Sequence, residues 1–286
     1  MPTELTSDIG SHPGHTPRDE TEQEPVTQDD AAEAEDQPLP ENAVERFIAE
    51  HVQPRRHEFR SAEQLPSAAQ LLGTALARRR IEVRKIVEGR WAFYFAGTVI
   101  GGLSHGLTTL VSAHARRVLG DPEALRGHLK LMDIPCAEED TESSGLRLPS
   151  GLQLRGFVVG RELASMLALI PPYEYDDAVG GPEAVRLLDS TAADSGAGLP
   201  QVIAADVTEL VSEDISSLAV DAVRAVPGLF AAGVDLEVFS LDSLRSAVVL
   251  DVDESADLLP HHVPTLGPGR DVADAIAEQI LISAAL

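Results

Sequence analysis

Apolar positions along this chain fall into helical and strand-like runs separated by polar breaks. From Ser67 to Arg80 they recur at helical spacing, with Ala69, Leu71, Leu72 and Leu76 on one face behind a capping serine. Ile81 to Val87 then alternates, Glu88-Gly89 turns, and Trp91 to Ala96 runs back, which predicts a β-hairpin. The Trp91, Phe93 and Phe95 alternation reads as the core face of that hairpin. Thr98 to Gly102 is a short apolar run. Ser104 to Leu119 reads as a helix whose first residues, Ser104 to Thr109, serve as its start, and Asp121-Pro122 opens another through Met132. Upstream, Glu41 to His51 forms a helix with Val44, Phe47 and Ile48 on one side, and Arg55, Arg56 and Arg60 mark a solvated basic loop.

The second half repeats the hairpin theme. Leu152 to Val159 and Leu163 to Ile170 read as paired strands around Gly160-Arg161, stopped by Pro171-Pro172. Residues 173–200 are an acidic, Gly- and Ser-rich loop around one short helix from Pro182 to Leu188. Gln201 to Asp206 is a strand. Ser212 caps a helix over Glu213 to Val226, with Ile215, Leu218, Ala219, Ala222 and Val223 on one face. Gly233 to Leu236 and Ala247 to Leu250 are apolar strands that end in Asp235, Asp251 and Asp253. A polar loop with His261 and His262, a Gly-Pro-Gly turn and a closing helix from Arg270-Asp271 complete the chain.

Composition changes the picture at the N-terminus. Residues 1–50 carry fourteen Asp and Glu against two Arg, and residues 1–40 hold almost no large apolar side chain. Such a segment cannot bury enough surface to offset its ordering entropy, so it reads as a disordered acidic tail. Its His12 and His15 lack partners at ligand spacing and read as solvent-exposed. Three regions follow: 1–40 as tail, 41–136 as an N-terminal α/β subdomain, and 137–286 as a second lobe, entered through the polar linker 137–150. Net charge is −25, which argues against a nucleic-acid or anionic-membrane partner. One cysteine, Cys136, excludes an internal disulfide framework and a cysteine zinc site, and it reads as a small apolar side chain. No leader and no bilayer-length apolar run is present, so a cytoplasmic location is expected.

Asp235, Asp251 and Asp253, at the ends of neighbouring strands, form an oxygen-rich cluster of the kind that holds Mg²⁺ against phosphate. The same acids read equally well as solvated strand-end carboxylates. His261 and His262 either add a ligand or shape the turn.

The run from Asp206 to Asp235 (Asp-Val-Thr, a helix, then Gly-Val-Asp) resembles the C-terminal lobe of ATP-grasp ligases, nearest to the cyanophycin synthetase and N-acetylglutaminylglutamine synthetase group. Val249-Leu-Asp-Val-Asp253 is similar to that family's strand ending Glu-x-Asn. His261-His262-x-Pro264 and Gly267-x-Gly269-Arg270 are similar to its closing pattern, and Ala69 to Pro135 resembles its N-terminal subdomain. The resemblance implies an α/β ATP-grasp-like fold of two subdomains with mixed sheets and a reduced nucleotide lid. It implies Mg²⁺ and ATP as cofactors and amide-bond formation between a carboxylate and an amine through an acylphosphate. It places Asp235, Asp251 and Asp253 on the metal and Arg270 near phosphate or substrate. The partners it implies are a small carboxylate, amine or peptide substrate, and either a second copy or a complete ATP-grasp protein.

The chain also departs from that family. Asp251 stands where Glu is expected and shortens the reach by about 1.5 Å. Asp253 stands where a neutral Asn is expected. Pro122 replaces a lysine, and no lysine lies beyond Lys130 to meet phosphates as a compact charge. Arg147, Arg155 and Arg161 are the candidates to supply that charge. The expected activity is therefore an impaired ligase, or alternatively a non-catalytic scaffold or regulatory partner of a complete one.

Overall fold

The structure, a computed structural model, describes residues 42–60, 65–137, 151–188 and 202–285. The predicted tail over 1–40 and most of the linker over 137–150 lie outside the described residues. Helix α1 (Ala43–Phe47) runs directly into a π-helical turn (Ile48–Val52) and a 3₁₀ turn (Gln53–Glu58), and it buries Ala43, Val44 and Phe47. The basic loop expected here is thus partly helical, and Arg55 is held by Glu58 at 2.9 Å. Helix α2 (Ala68–Arg78) starts on a full capping box: Ser67 Oγ accepts from Gln70 N, and Gln70 reaches back to Ser67 N.

Four antiparallel strands follow: β1 (Glu82–Val87), β2 (Arg90–Phe95), β3 (Thr98–Ser104) and β4 (Leu107–Thr108). The predicted hairpin is β1–β2, and Phe93 of its core face is buried. The helix expected from Ser104 begins only at Ala113. His105 and Gly106 adopt positive φ (51° and 86°), which turns β3 back on itself as β4. Ser112, not Ser104, is the cap of α3 (Ala113–Leu119), accepting from Ala115 N at 3.0 Å. Helix α4 (Pro122–Leu131) is capped by Asp121, as the Asp-Pro pair predicts.

A five-stranded sheet follows: β5 (Leu152–Val159), β6 (Glu162–Ile170), β9 (Ile203–Asp206), β10 (Ala231–Val238) and β11 (Val248–Asp253), in the order β11-β10-β5-β6-β9. Between β6 and β9 in sequence, β7 (Tyr173–Tyr175) and β8 (Val185–Leu187) form a separate pair, where a helix over 182–188 was expected. Only Pro182–Ala184 make a helical turn there, after two glycines at positive φ. Among the described residues every strand pairing is antiparallel, and the expected mixture of strand directions is confined to the isolated parallel bridges Cys136–Val249 and Ala205–Leu266.

Both faces of the five-stranded sheet carry core. On one face Leu154, Val158, Met166, Val234 and Leu236 pack with α1 and α5 (Glu213–Arg224), whose buried residues are those the periodicity picks out. On the other face Phe157, Val159 and Ala231 pack with α2 and α7 (Val272–Ala285). Period-two alternation divides β5 and β10 between the two cores. The short helix α6 (Leu259–His262) lies between β11 and α7 in sequence. Ion pairs Arg78–Asp271 (2.6 Å) and Arg79–Asp274 (2.7 Å) tie α2 to the start of α7. No helix among the described residues is long and apolar enough to cross a membrane.

Candidate functional site

Strand register builds the site. Asp251 lies opposite Asp235, Asp235 opposite Arg155, Arg155 opposite Leu167, and Leu167 opposite Asp206. Directly opposed residues share a face, so these five side chains form one rung across all five strands. The next rung reads Asp253, Gly233, Phe157, Ser165. Asp235 and Asp251 are thus neighbours, as their positions in sequence suggest, and Asp253 is one rung away.

Their environments differ. Asp235 is gripped by Arg155 through two hydrogen bonds, Nε to Oδ1 and Nη2 to Oδ2, both 2.7 Å. This fork is the strong geometry for a guanidinium and a carboxylate. The Arg155 pKa is raised above its ordinary value, first by the hydrogen bond to Asp235 and then by the charges of Asp235, Asp253 and Asp251, against the opposing effect of burial. Asp253 Oδ1 accepts from the backbone N and the Oγ of Ser255, both 2.7 Å. Asp251 is exposed at the outer edge. Among the described residues, no group of three His, Cys, Asp or Glu side chains is arranged to hold a metal ion.

Arg270 reaches the other end of the same rung. Its Nη2 and Nε donate to Asp206 Oδ2 at 2.7 and 3.1 Å, and Nη1 donates to Glu209 Oε1 at 3.0 Å. The Asp206 side chain is only 3% exposed and also accepts from Thr208 Oγ1 at 2.5 Å. The Asp206 backbone N donates to Leu266 O, and the Arg270 backbone N donates to His261 O, which fixes the closing turn under the sheet. Gly269 allows that turn, because a Cβ there would overlap the His262 carbonyl oxygen.

The two histidines separate. His262 Nε2 accepts from Ala273 N at 3.1 Å and thereby caps the first turn of α7. Burial lowers its pKa, with Asp271 opposing. His261 is fully buried on α6, edge-on to Phe157 at 5.6 Å, with Nδ1 2.9 Å from Ser165 Oγ. Its Nε2 is buried without a hydrogen-bond partner. Burial, with the nearby Arg155 charge adding, lowers its pKa from 6.5 to about 4, so the ring is neutral near pH 7. Arg161, the other described arginine expected to supply charge, is exposed at the β5–β6 turn; Arg147 lies outside the described residues.

Sequence reasoning missed Asp206, Ser165 and the Arg155–Asp235 pair. The register of β5 against β10 joins residues 80 apart and leaves no local signal. A cleft of about 270 Å³ was also not foreseen. It is lined by Arg46, Phe47 and His51 around the π-helical turn, with Leu210, Phe239 and Asp242 opposite.

No protein-family model matches the chain, and no curated protein matches it in sequence. Solved structures do match. A bifunctional glutathione synthetase from Pasteurella multocida superposes with a TM-score of 0.58 at 13% identity, over 75% of this chain and 44% of that one. D-alanine–D-alanine ligase from Bacillus anthracis, complexed with ATP, gives 0.43 at 11% identity over 61% and 69% of the two chains. The macrocyclase MdnC from Microcystis aeruginosa MRC, bound with precursor peptide MdnA, gives 0.36 at 12% over 78% and 97%. The described chain has an ATP-grasp ligase-like fold. It spans less than half the length of the synthetase with which it shares that fold.

Proposed function

We propose that this chain is a non-catalytic protein on an ATP-grasp-like scaffold, serving as a structural or regulatory partner of a complete carboxylate–amine ligase. The observation that carries this reading is the Arg155–Asp235 fork, which takes both oxygens of the acid a metal would need, at 2.7 Å each. The chain has no lysine after Lys130, so beyond that point phosphates would meet none of the compact ammonium charges that suit them.

The acids support the same reading. Mg²⁺ demands near-octahedral oxygen ligands at about 2.0–2.1 Å. Both Asp235 oxygens instead face guanidinium nitrogens. Arg270, expected near phosphate or substrate, is engaged with Asp206 and Glu209. As placed, these residues do not fit Mg–ATP. The competing reading, a weak ligase, requires Arg155 to release Asp235 when nucleotide arrives. Calorimetric titration of the chain with ATP and Mg²⁺ decides between them, with Asp251→Ala and Asp253→Ala alongside. The expected result is no heat of binding in the parent. Saturable heat in the parent removes the misfit to Mg–ATP on which the non-catalytic reading rests, and its loss in both variants would assign the ligand to the three acids.

A further inference from the structure

Acids that face one another on neighbouring antiparallel strands repel unless a cation lies among them. Here Asp251 and Asp235 are directly opposed and Asp253 lies one rung on. The cation that meets them is built into the chain. Arg155 is directly opposite Asp235 on the other side, carried by β5, and its fork takes both Asp235 oxygens at 2.7 Å. The charges of all three acids act on it.

We infer that Arg155 is a resident counter-ion that holds this acid wall together in place of a divalent metal, so that the wall is metal-independent in the parent and metal-seeking without Arg155. The inference rests on the reading that these residues do not fit Mg–ATP and extends it to the ion alone. Arg155 is suited to this task in three ways. The strand fixes its Cα in register with Asp235. Its planar fork matches the carboxylate and stays charged at every accessible pH. Its approach is flanked by the buried ring of His261, which rests edge-on against Phe157 of the same strand. At the adjacent rung the inward position of β10 is Gly233, and Ala256 packs over it closely enough that a Cβ at 233 would meet the Ala256 methyl at 2.5 Å. The chain thus sets an alanine beside Gly233 and a guanidinium on Asp235, while Asp251 stays exposed.

The experiment uses the full chain and Mn²⁺ as the probe. Mn²⁺ binding is followed by the loss of its free electron-paramagnetic-resonance signal, and thermal midpoints are recorded in EDTA and in Mn²⁺ or Mg²⁺ at constant ionic strength. The parent is expected to show no saturable Mn²⁺ site and no change of midpoint with metal. Arg155→Gln, which keeps much of the side-chain length without the charge, is expected to melt lower in EDTA and to gain a saturable Mn²⁺ site that the parent lacks. Its midpoint should recover with either metal. Arg155→Lys keeps a charge and should stay metal-indifferent, and the pair Arg155→Gln/Asp251→Asn should lose the gained site. A metal-stabilised parent, or an Arg155→Gln chain no more responsive than the parent, overturns the inference. Should Arg155→Gln not fold in EDTA, refolding it from urea with and without Mn²⁺ gives the answer: rescue supports the inference and failure in both overturns it. Failure here leaves the non-catalytic reading standing, because that reading falls only to Mg–ATP binding in the parent.

Discussion

Acid titration of His261 should cost this fold a definite amount of stability. The ring is fully buried, Nδ1 is bonded to Ser165, and Nε2 has no acceptor waiting for a proton. Its folded-state pKa is near 4 against an ordinary value of 6.5. Because the folded value is depressed, the unfolded chain binds the proton first. The contribution is fully present above about pH 6.5, is lost as pH falls, and levels off below about pH 4. With these two values the loss at about pH 5.2, relative to about pH 7.5, is roughly 2 kcal/mol. The lower pH keeps above the isoelectric point near 4.6, where the net charge that opposes association vanishes. The assay is urea denaturation at both pH values for the parent and for His261→Phe, with His261→Leu as a second replacement. Carboxylate titrations are common to all chains and cancel in the difference. The parent should lose about 2 kcal/mol more than either variant between the two pH values. Parallel losses in parent and variants would show that His261 is solvated or already charged in the folded state, and the argument from its burial would fail.

Other consequences follow from the closing turn and the capping residues. Arg270→Gln should cost about 2–3 kcal/mol, below the usual range for a broken buried pair because Thr208 still serves Asp206, and urea midpoints measure it. The pair Arg270→Gln/Asp206→Asn should recover much of that loss, and a cost under about 0.5 kcal/mol for Arg270→Gln would mark the pair as solvent-screened. Gly269→Ala should destabilise by about 3 kcal/mol, read as a lowered thermal midpoint, because its methyl would run into the backbone carbonyl of His262, which cannot move without shifting the closing turn. Ser212→Ala should remove about 1 kcal/mol by freeing the Ile215 amide that Ser212 Oγ accepts, with Ser212→Asp restoring most of it.

Periodicity made most of the elements legible. Helices α2, α4, α5 and α7 and strands β1, β2, β5, β6, β9, β10 and β11 all fall within a few residues of their apolar patterns. The misses have local causes. The pattern from Ser104 to Leu119 is compatible with a helix only if His105 and Gly106 take helical backbone, and both adopt positive φ. Val185 to Leu187 is too short to show a period, and its strand pairing with Tyr173–Tyr175 decides its conformation. The candidate site was half legible. The three acids stand out because each ends or follows an apolar run. Their counter-ion does not, because Arg155 sits mid-strand in an ordinary hairpin and its partner lies 80 residues away. His261 carried a faint signal, since it follows Leu258, Leu259 and Pro260 and an apolar approach predicts burial more than a polar loop does.

Asp251 and Asp253, which stand where the resemblance leads one to expect Glu and Asn, acquire a common sense beside Arg155. Where Glu and Asn would present one long acid and one neutral amide, this chain presents two short acids. For a metal centre the change is adverse in geometry, because a shorter arm on β11 withdraws an oxygen from the Asp235 side by about 1.5 Å. For a guanidinium on β5 the same change is favourable. Added negative charge on β11 stabilises Arg155 at a distance without competing for its hydrogen bonds, all of which point to Asp235. Asp253 is likewise drawn aside to Ser255, which keeps it in the field of Arg155 and out of its fork. A wall of three acids with one internal cation is therefore self-consistent as it stands. Its one internal cation already takes both oxygens of Asp235, the acid that is directly opposed to Asp251.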